Sequence, residues 1–258
     1  MSEAMRVEKH GAVTVFRMTD PASRNALSFE MKQGFIQNIP AFMADDSARC
    51  LVITGSEGVF CAGGDIRTMT GDRTATTIRK RMAASHDWLL DLMRCEKPII
   101  TAVGGPAVGA GLSIALLGDI IVSADNAYFM GGFSKLGAAP DLALAYTLTR
   151  AVGAQRAKDI LLTSRKVLPD EALAMGLVAR VVPAGQLEAQ AMELAQQLAD
   201  GPSVSLGLTK RLVESAFRSP AEFLEVEAFA QATAFGSAEF DEGVKAFLGK
   251  RKPVFSAP

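Results

Sequence analysis

The chain has 258 residues, 49% hydrophobic and 21% charged, and its 27 Lys and Arg against 28 Asp and Glu leave a formal net charge of −1. That balance describes a globular chain long enough to bury a large core. It excludes a disordered chain and any general electrostatic pull toward nucleic acid or anionic lipid.

An anionic ligand must therefore be met by a few placed basic residues. Three cysteines, Cys50, Cys61 and Cys95, and two histidines, His10 and His86, lack metal-ligand spacing. They point to no disulfide framework, no metal and a reducing, cytoplasmic setting. The first residues, MSEAMRVEKHG, hold no long apolar core and do not read as a secretory signal.

Residues 13–18 (VTVFRM) alternate and predict a strand that ends at the Asp20-Pro21 turn. Ser28 has the chemistry of an N-cap for a helix placing Met31, Phe35, Ile39 and Phe42 on one face. The short apolar run 50–54 (CLVIT) reads as a buried parallel strand, followed by a loop with Gly55, Gly58, Gly63 and Gly64 that closes at Asp65. Residues 74–94 predict one long amphipathic helix with Ile78, Met82, Leu89 and Met93 inward. His86, four after Met82 and three before Leu89, is expected on its apolar side, as a core histidine or a pocket residue.

Residues 98–121, PIITAVGGPAVGAGLSIALLGDII, read as a buried strand, a glycine-rich turn and a helix start near 112–117. No charge lies between Lys97 and Asp119, but Pro106 and the clustered glycines argue against a membrane span. Two readings remain for the stretch by itself. It is an ordinary buried strand-turn-helix, or a loop whose unpartnered helix-start N–H groups suit a developing oxyanion.

Strands follow at 119–124 and 127–130, and from Asp141 onward helical periodicity begins near Asp141, Ala154, Pro169, Leu187, Pro202, Pro220 and Ser237, with only 177–182 strand-like. Strands alternating with helices predict an α/β fold with a mostly parallel sheet under a helical cover. The short, separately capped helices of the last third point to an oligomer.

The pair FCAGGDI and AVGGPAVGAGLSIALLGDIIVSADNAYF resembles the crotonase (enoyl-CoA hydratase/isomerase) superfamily, and SRNALS, LTSRKVLPDEALAMGLVARVV and DEGVKAFLGKRKPVF are similar to that family's further landmarks, in order. The resemblance implies a crotonase-like repeated ββα spiral core over residues 1–195 and a C-terminal α-helical trimerisation region over 196–258, assembled as a homotrimer or dimer of trimers. It implies an acyl-CoA thioester substrate, with no separate cofactor, no nucleic acid and no membrane.

By motif position, the thioester oxygen would accept hydrogen bonds from the backbone N–H groups of Gly64 and Ala110. Each is worth roughly 3 kcal/mol of barrier. Arg24 and Arg67, with Ala62, Asp65 and Ile66 in the same loop, would meet the CoA, and Phe247 and Lys250 would come from an adjacent subunit. Arginine suits this because its fork binds phosphate bidentately.

Hydration by the family's familiar route uses two glutamates, whose positions here read Ser113 and Phe133. Neither is a general base at neutral pH. Asp141 stands where some isomerases and ring-modifying members carry their acid, and one carboxylate suffices to shift an enoyl double bond. Local sequence also allows Asp141 to be a helix cap after Pro140.

The spacing of His86 to Pro98 and of Ala110 to Asp141 resembles the 4-chlorobenzoyl-CoA dehalogenase branch, but Phe133 stands where that branch has a tryptophan. Isomerisation with Asp141, and His86 as a further pocket candidate, is the reading that follows. Its alternatives are a hydratase, a ring-epoxide isomerase or aryl-CoA dehalogenase, and a catalytically silent CoA-binding homologue. Near-neutral charge argues against an RNA-binding homologue.

Overall fold

Short runs of β-branched and aliphatic residues with no polar face must be covered on both sides. The computed structural model describes residues 4–69, 71 and 73–255. In it these runs form a sheet in the order β1 (Met5–His10), β2 (Val13–Met18), β3 (Cys50–Thr54), β4 (Ile99–Val103), β6 (Ile120–Ala124) and β9 (Arg180–Val182). β1 and β2 are antiparallel, and every later neighbour pair is parallel. A second, smaller sheet joins β5 (Pro106–Val108), β7 (Tyr128–Met130) and β8 (Lys166–Val167).

The period-2 alternation of the strands sorts their side chains onto two cores. Val13, Val15, Cys50, Val52, Ile100, Ala102, Val122 and Ala124 face α8 (Leu187–Ala199), meeting Leu187, Ala191, Leu194 and Ala195. On the other face Phe16, Leu51, Ile53, Ile99, Val103 and Ile121 pack against α1 (Phe29–Ala44), α3 (His86–Arg94) and α4 (Ala110–Ala115). Ser28 caps α1 by accepting the Met31 N–H at 3.1 Å, and the predicted stripe Met31, Phe35, Ile39 and Phe42 is buried. Trp88 of α3 stacks on Phe35 with ring centroids 5.0 Å apart, its indole N–H buried with no partner among the described residues.

The remaining helices are α2 (Ala75–Ala83), α5 (Leu144–Val152), α6 (Ala154–Thr163), α7 (Pro169–Ala174), α9 (Ser203–Ser215), α10 (Pro220–Phe235) and α11 (Ala238–Leu248). α9 is tied to the sheet by Lys210, whose ammonium lies 2.9 Å from Asp119. That carboxylate also accepts the Ile99 N–H at 2.7 Å, and burial pushes it above the usual carboxylate range. α10 and α11 leave Phe229, Phe235, Phe240, Phe247 and Leu248 exposed. No described helix is long and apolar enough to cross a membrane.

Three expectations need correction. The single helix over 74–94 is two, α2 and α3, because the Ala84 N–H turns back to the carbonyls of Lys80 and Met82 and Ser85 is buried instead of continuing the spiral. His86 thus opens α3 on its exposed side, not on the apolar side. Asp141 does not cap the helix that follows: α5 starts at Leu144 and its cap position is Ala143, with no side-chain cap bond. The strand β1 escapes the hydrophobic pattern because, as an edge strand, it buries only Met5 fully.

Candidate active site: two paired glycine loops and a buried carboxyl

The loops after β3 and β4 are held together by backbone pairing. Cys61 and Ala107 form a parallel bridge, the Cys61 N–H donates to the Pro106 carbonyl at 3.0 Å, and the Val108 N–H donates to the Cys61 carbonyl at 3.0 Å. Gly64 lies three residues past Cys61 and Ala110 three past Ala107, so the two amides leave the paired strands at the same offset. Among the described residues neither N–H has a hydrogen-bond partner.

Two glycines make this approach possible. Gly109 turns the chain into α4 at φ 54°, and a Cβ on Gly111 would run into the Cys61 carbonyl oxygen. α4 is only six residues long, so the amides themselves, more than a long helix dipole, are what the turn offers an anion.

The Gly64 loop is braced from its other side. The Leu27 N–H donates to Gly63 at 2.7 Å, the Ala62 N–H donates to Arg24 at 3.1 Å, and the buried Asn25 side chain donates to Val59 at 2.8 Å. Arg24 and Asn25 both take left-handed backbone, at φ 57° and 56°, to make that turn. This segment leads directly into Ser28 and α1. The SRNALS run is therefore a clamp on the glycine loop as well as the start of a helix.

On the opposite side, the buried Ser113 hydroxyl of α4 lies 3.2 Å from the main-chain carbonyls of both Gly109 and Asp141. The Asp141 main chain is thereby tied to α4 at a residue three past Ala110. The side-chain Oδ1 is buried and without a partner among the described residues. Burial pushes the carboxyl above the usual range, and the charges of Lys32 and Arg81 act against that rise. Leu142 and Ala143, next in the chain, are both left-handed, at φ 49° and 61°. Two consecutive strained non-glycine residues mark a segment held in shape by its surroundings, as functional sites often are.

Lys32, on the first turns of α1, and this carboxyl act on each other's charge. Burial lowers its ammonium from the usual lysine range, Arg81 lowers it further, and Asp141 opposes them. The sequence reading missed it. Its signal was slight, a lysine beside Met31 on the shoulder of the apolar stripe. The Cys61 thiol between the loops is pushed up to about 12 by burial and is no nucleophile at neutral pH. A carboxyl with a buried oxygen that has no partner among the described residues, in a segment tied to the helix that opens at Ala110, has the chemistry of a proton-transfer group.

The Arg24 carbonyl meets the Ala62 N–H in the loop that carries Gly64, Asp65, Ile66 and Arg67, Ala110 follows the strand bridged to Cys61, and Asp141 is tied to α4 through Ser113. Arg67 binds the Asp65 carboxylate through Nε at 2.9 Å and Nη2 at 3.1 Å. Its guanidinium is thus prearranged by Asp65 while staying largely exposed. Arg24 and Ile66 are exposed at the loop's rim. Phe247, 83% exposed, and Lys250 lie at the end of α11, which packs on α10 and meets the start of α9 through Glu239. His86 is exposed and is not tied into this group by a hydrogen bond. Among the described residues no cluster of three His, Cys, Asp or Glu side chains could hold a metal ion.

The sequence profile described as enoyl-CoA hydratase/isomerase matches residues 8–258. The chain is 35% identical over 254 residues to the 1,2-epoxyphenylacetyl-CoA isomerase of Escherichia coli (strain K12), covering 97% of this chain and 96% of that protein. It is 33% identical over 211 residues to the 4-chlorobenzoyl coenzyme A dehalogenase-2 of Arthrobacter sp, covering 81% of this chain and 76% of that one. A solved structure of an enoyl-CoA hydratase/isomerase from Cupriavidus metallidurans CH34 superposes with a TM-score of 0.94 at 30% identity, over 100% of this chain and 97% of that one. The fold is the crotonase fold that the glycine motifs imply, and the chain belongs to the enoyl-CoA hydratase/isomerase family.

Proposed function

We propose that this chain is an isomerase that shifts a carbon–carbon double bond within an acyl-CoA thioester, with Asp141 as its one acid-base residue. The ionised carboxylate takes a proton from an acyl carbon, and the C–H electron pair passes into the conjugated system as charge on the thioester oxygen. The Gly64 and Ala110 amides stabilise that oxygen. The same carboxyl then returns the proton to a second carbon, so atoms and charge balance with no further reagent.

The observation that carries the reading is the buried, unpartnered Oδ1 of Asp141, in a segment that Ser113 fastens to the helix of the Ala110 amide. Ser113 and Phe133, where the family's hydratases carry glutamates, favour one-carboxylate chemistry over hydration. Arg24, Ala62, Asp65, Ile66 and Arg67 hold the CoA end. Phe247 and Lys250 reach it from a second copy in a homotrimer or dimer of trimers, whose contact would cover the exposed aromatic residues of α10 and α11.

Proton–deuterium exchange at the acyl carbons of CoA thioesters in heavy water tests this. Washout in the wild type and not in Asp141→Asn supports it, and no washout with any bound thioester points to a silent homologue. A second reading, isomerisation of a ring epoxide, is favoured by the 35% identity to the 1,2-epoxyphenylacetyl-CoA isomerase. Turnover of an aryl-epoxide thioester, without exchange on linear enoyl thioesters, would select it.

A further inference from the structure

Lys32 is a half-buried ammonium whose side chain has no hydrogen bond or ion pair among the described residues. Taking a charge out of water without a partner is costly, and a protein normally provides a lysine in that position with a carboxylate at contact distance. None is provided here. The charges that act on Lys32 are those of Arg81 and Asp141, one repulsive and one attractive, and Asp141 in turn feels Lys32 and Arg81. Among the described residues, α1, α2 and the segment before α5 thus bring Lys32, Arg81 and Asp141 within electrostatic reach of one another.

The geometry fixes where these groups stand. Leu27 bridges to Gly64, Ser28 caps α1, and the Lys32 N–H donates to the Ser28 carbonyl, so Lys32 stands one turn beyond the Gly64 side of the oxyanion site. Asp141 is fastened to the Ala110 side through Ser113. Lys32 and Asp141 also act on each other's charge, so an acyl chain held by its thioester oxygen on the two amides, with its reacting carbons at Asp141, would have Lys32 within electrostatic reach of its far end.

We propose that Lys32 is a specificity-determining residue that receives a negatively charged group at the far end of the acyl chain, so that the preferred substrates are CoA monothioesters of dicarboxylic acids. The inference rests on the acyl-CoA reading given above. A carboxylate at the chain's far end supplies the charge-assisted partner that Lys32 lacks, and Arg81 adds a second positive charge to the same region.

The test is calorimetric binding of saturated thioesters, which needs no turnover, in matched pairs: succinyl- and butyryl-CoA, adipoyl- and hexanoyl-CoA, suberoyl- and octanoyl-CoA. In the wild type at least one pair should favour the diacid. In Lys32→Met the ratio of dissociation constants for that pair should fall by about ten- to a hundredfold, and Lys32→Arg should retain most of it. A wild type that prefers the methyl-ended member of every pair overturns the proposal, whether or not the variants fold. So does a ratio that Lys32→Met leaves in place, which would make Lys32 a residue acting only on Asp141. If no thioester binds at all, the acyl-CoA reading falls first and this inference with it.

Discussion

The hydroxyl of Ser113 lies 3.2 Å from the main-chain carbonyl of Asp141, joining the helix that follows the second glycine turn to the proposed acid. A hydrogen bond of this kind contributes about 1 kcal/mol. Ser113→Ala should therefore lower kcat about fivefold with little change in KM, since the acid's placement is affected more than CoA binding. Steady-state kinetics on the wild type and this variant check the split.

Asp141→Asn should remove acyl proton exchange and at the same time stabilise the fold at neutral pH. The sign follows from burial, which raises the folded carboxyl above its unfolded value near 3.8. Below that value both states are protonated and nothing is lost. As pH rises past it the unfolded chain ionises first, and stability falls until the folded carboxyl ionises as well. Melting temperatures should show the variant ahead at pH 7 and level with the wild type in acid.

Gly111→Ala should cost about 3 kcal/mol, because its methyl group meets the Cys61 carbonyl oxygen, a backbone atom that cannot swing aside. The melting temperature should drop by roughly 10 °C. The reverse change one residue earlier, Ala110→Gly, adds no atoms there, and a comparable loss in that variant would show that the clash is not the cause.

Lys210→Met leaves Asp119, whose side chain is 28% exposed, with the Ile99 N–H as its remaining donor among the described residues. The expected loss is about 1 kcal/mol. Urea denaturation of the double variant Asp119→Asn/Lys210→Met should recover more than half of it, since the isolated charge is gone.

Phe229, 72% exposed on α10, belongs to the aromatic surface that a second copy of the chain would cover. Phe229→Glu should shift sedimentation toward the single chain. An unchanged assembly would place the contact elsewhere.

The parallel strands were legible because CLVIT, IITAV and IIVSA are buried on both faces and carry no competing pattern. The glycine turns were legible because Gly109 and Gly111 meet constraints that no other residue meets. What could not be seen were features decided by distant parts of the chain. β1 pairs on one side only and needs little apolar pattern, and nothing near Ser85 announces that it will be buried and break a helix. The left-handed pair Leu142 and Ala143, both ordinary aliphatic residues, displaces the start of α5 and frees the Asp141 side chain from capping. Lys32 was passed over because a lysine on a helix shoulder normally reaches water.

The chain holds a single tryptophan, and the stack of Trp88 on Phe35 joins α3 to α1, the helix that carries Lys32. Intrinsic fluorescence excited at the indole band thus reports from one seam of the molecule. Emission moving to longer wavelength before the sheet melts would register those two helices parting, a local opening beside Lys32 seen without any added label.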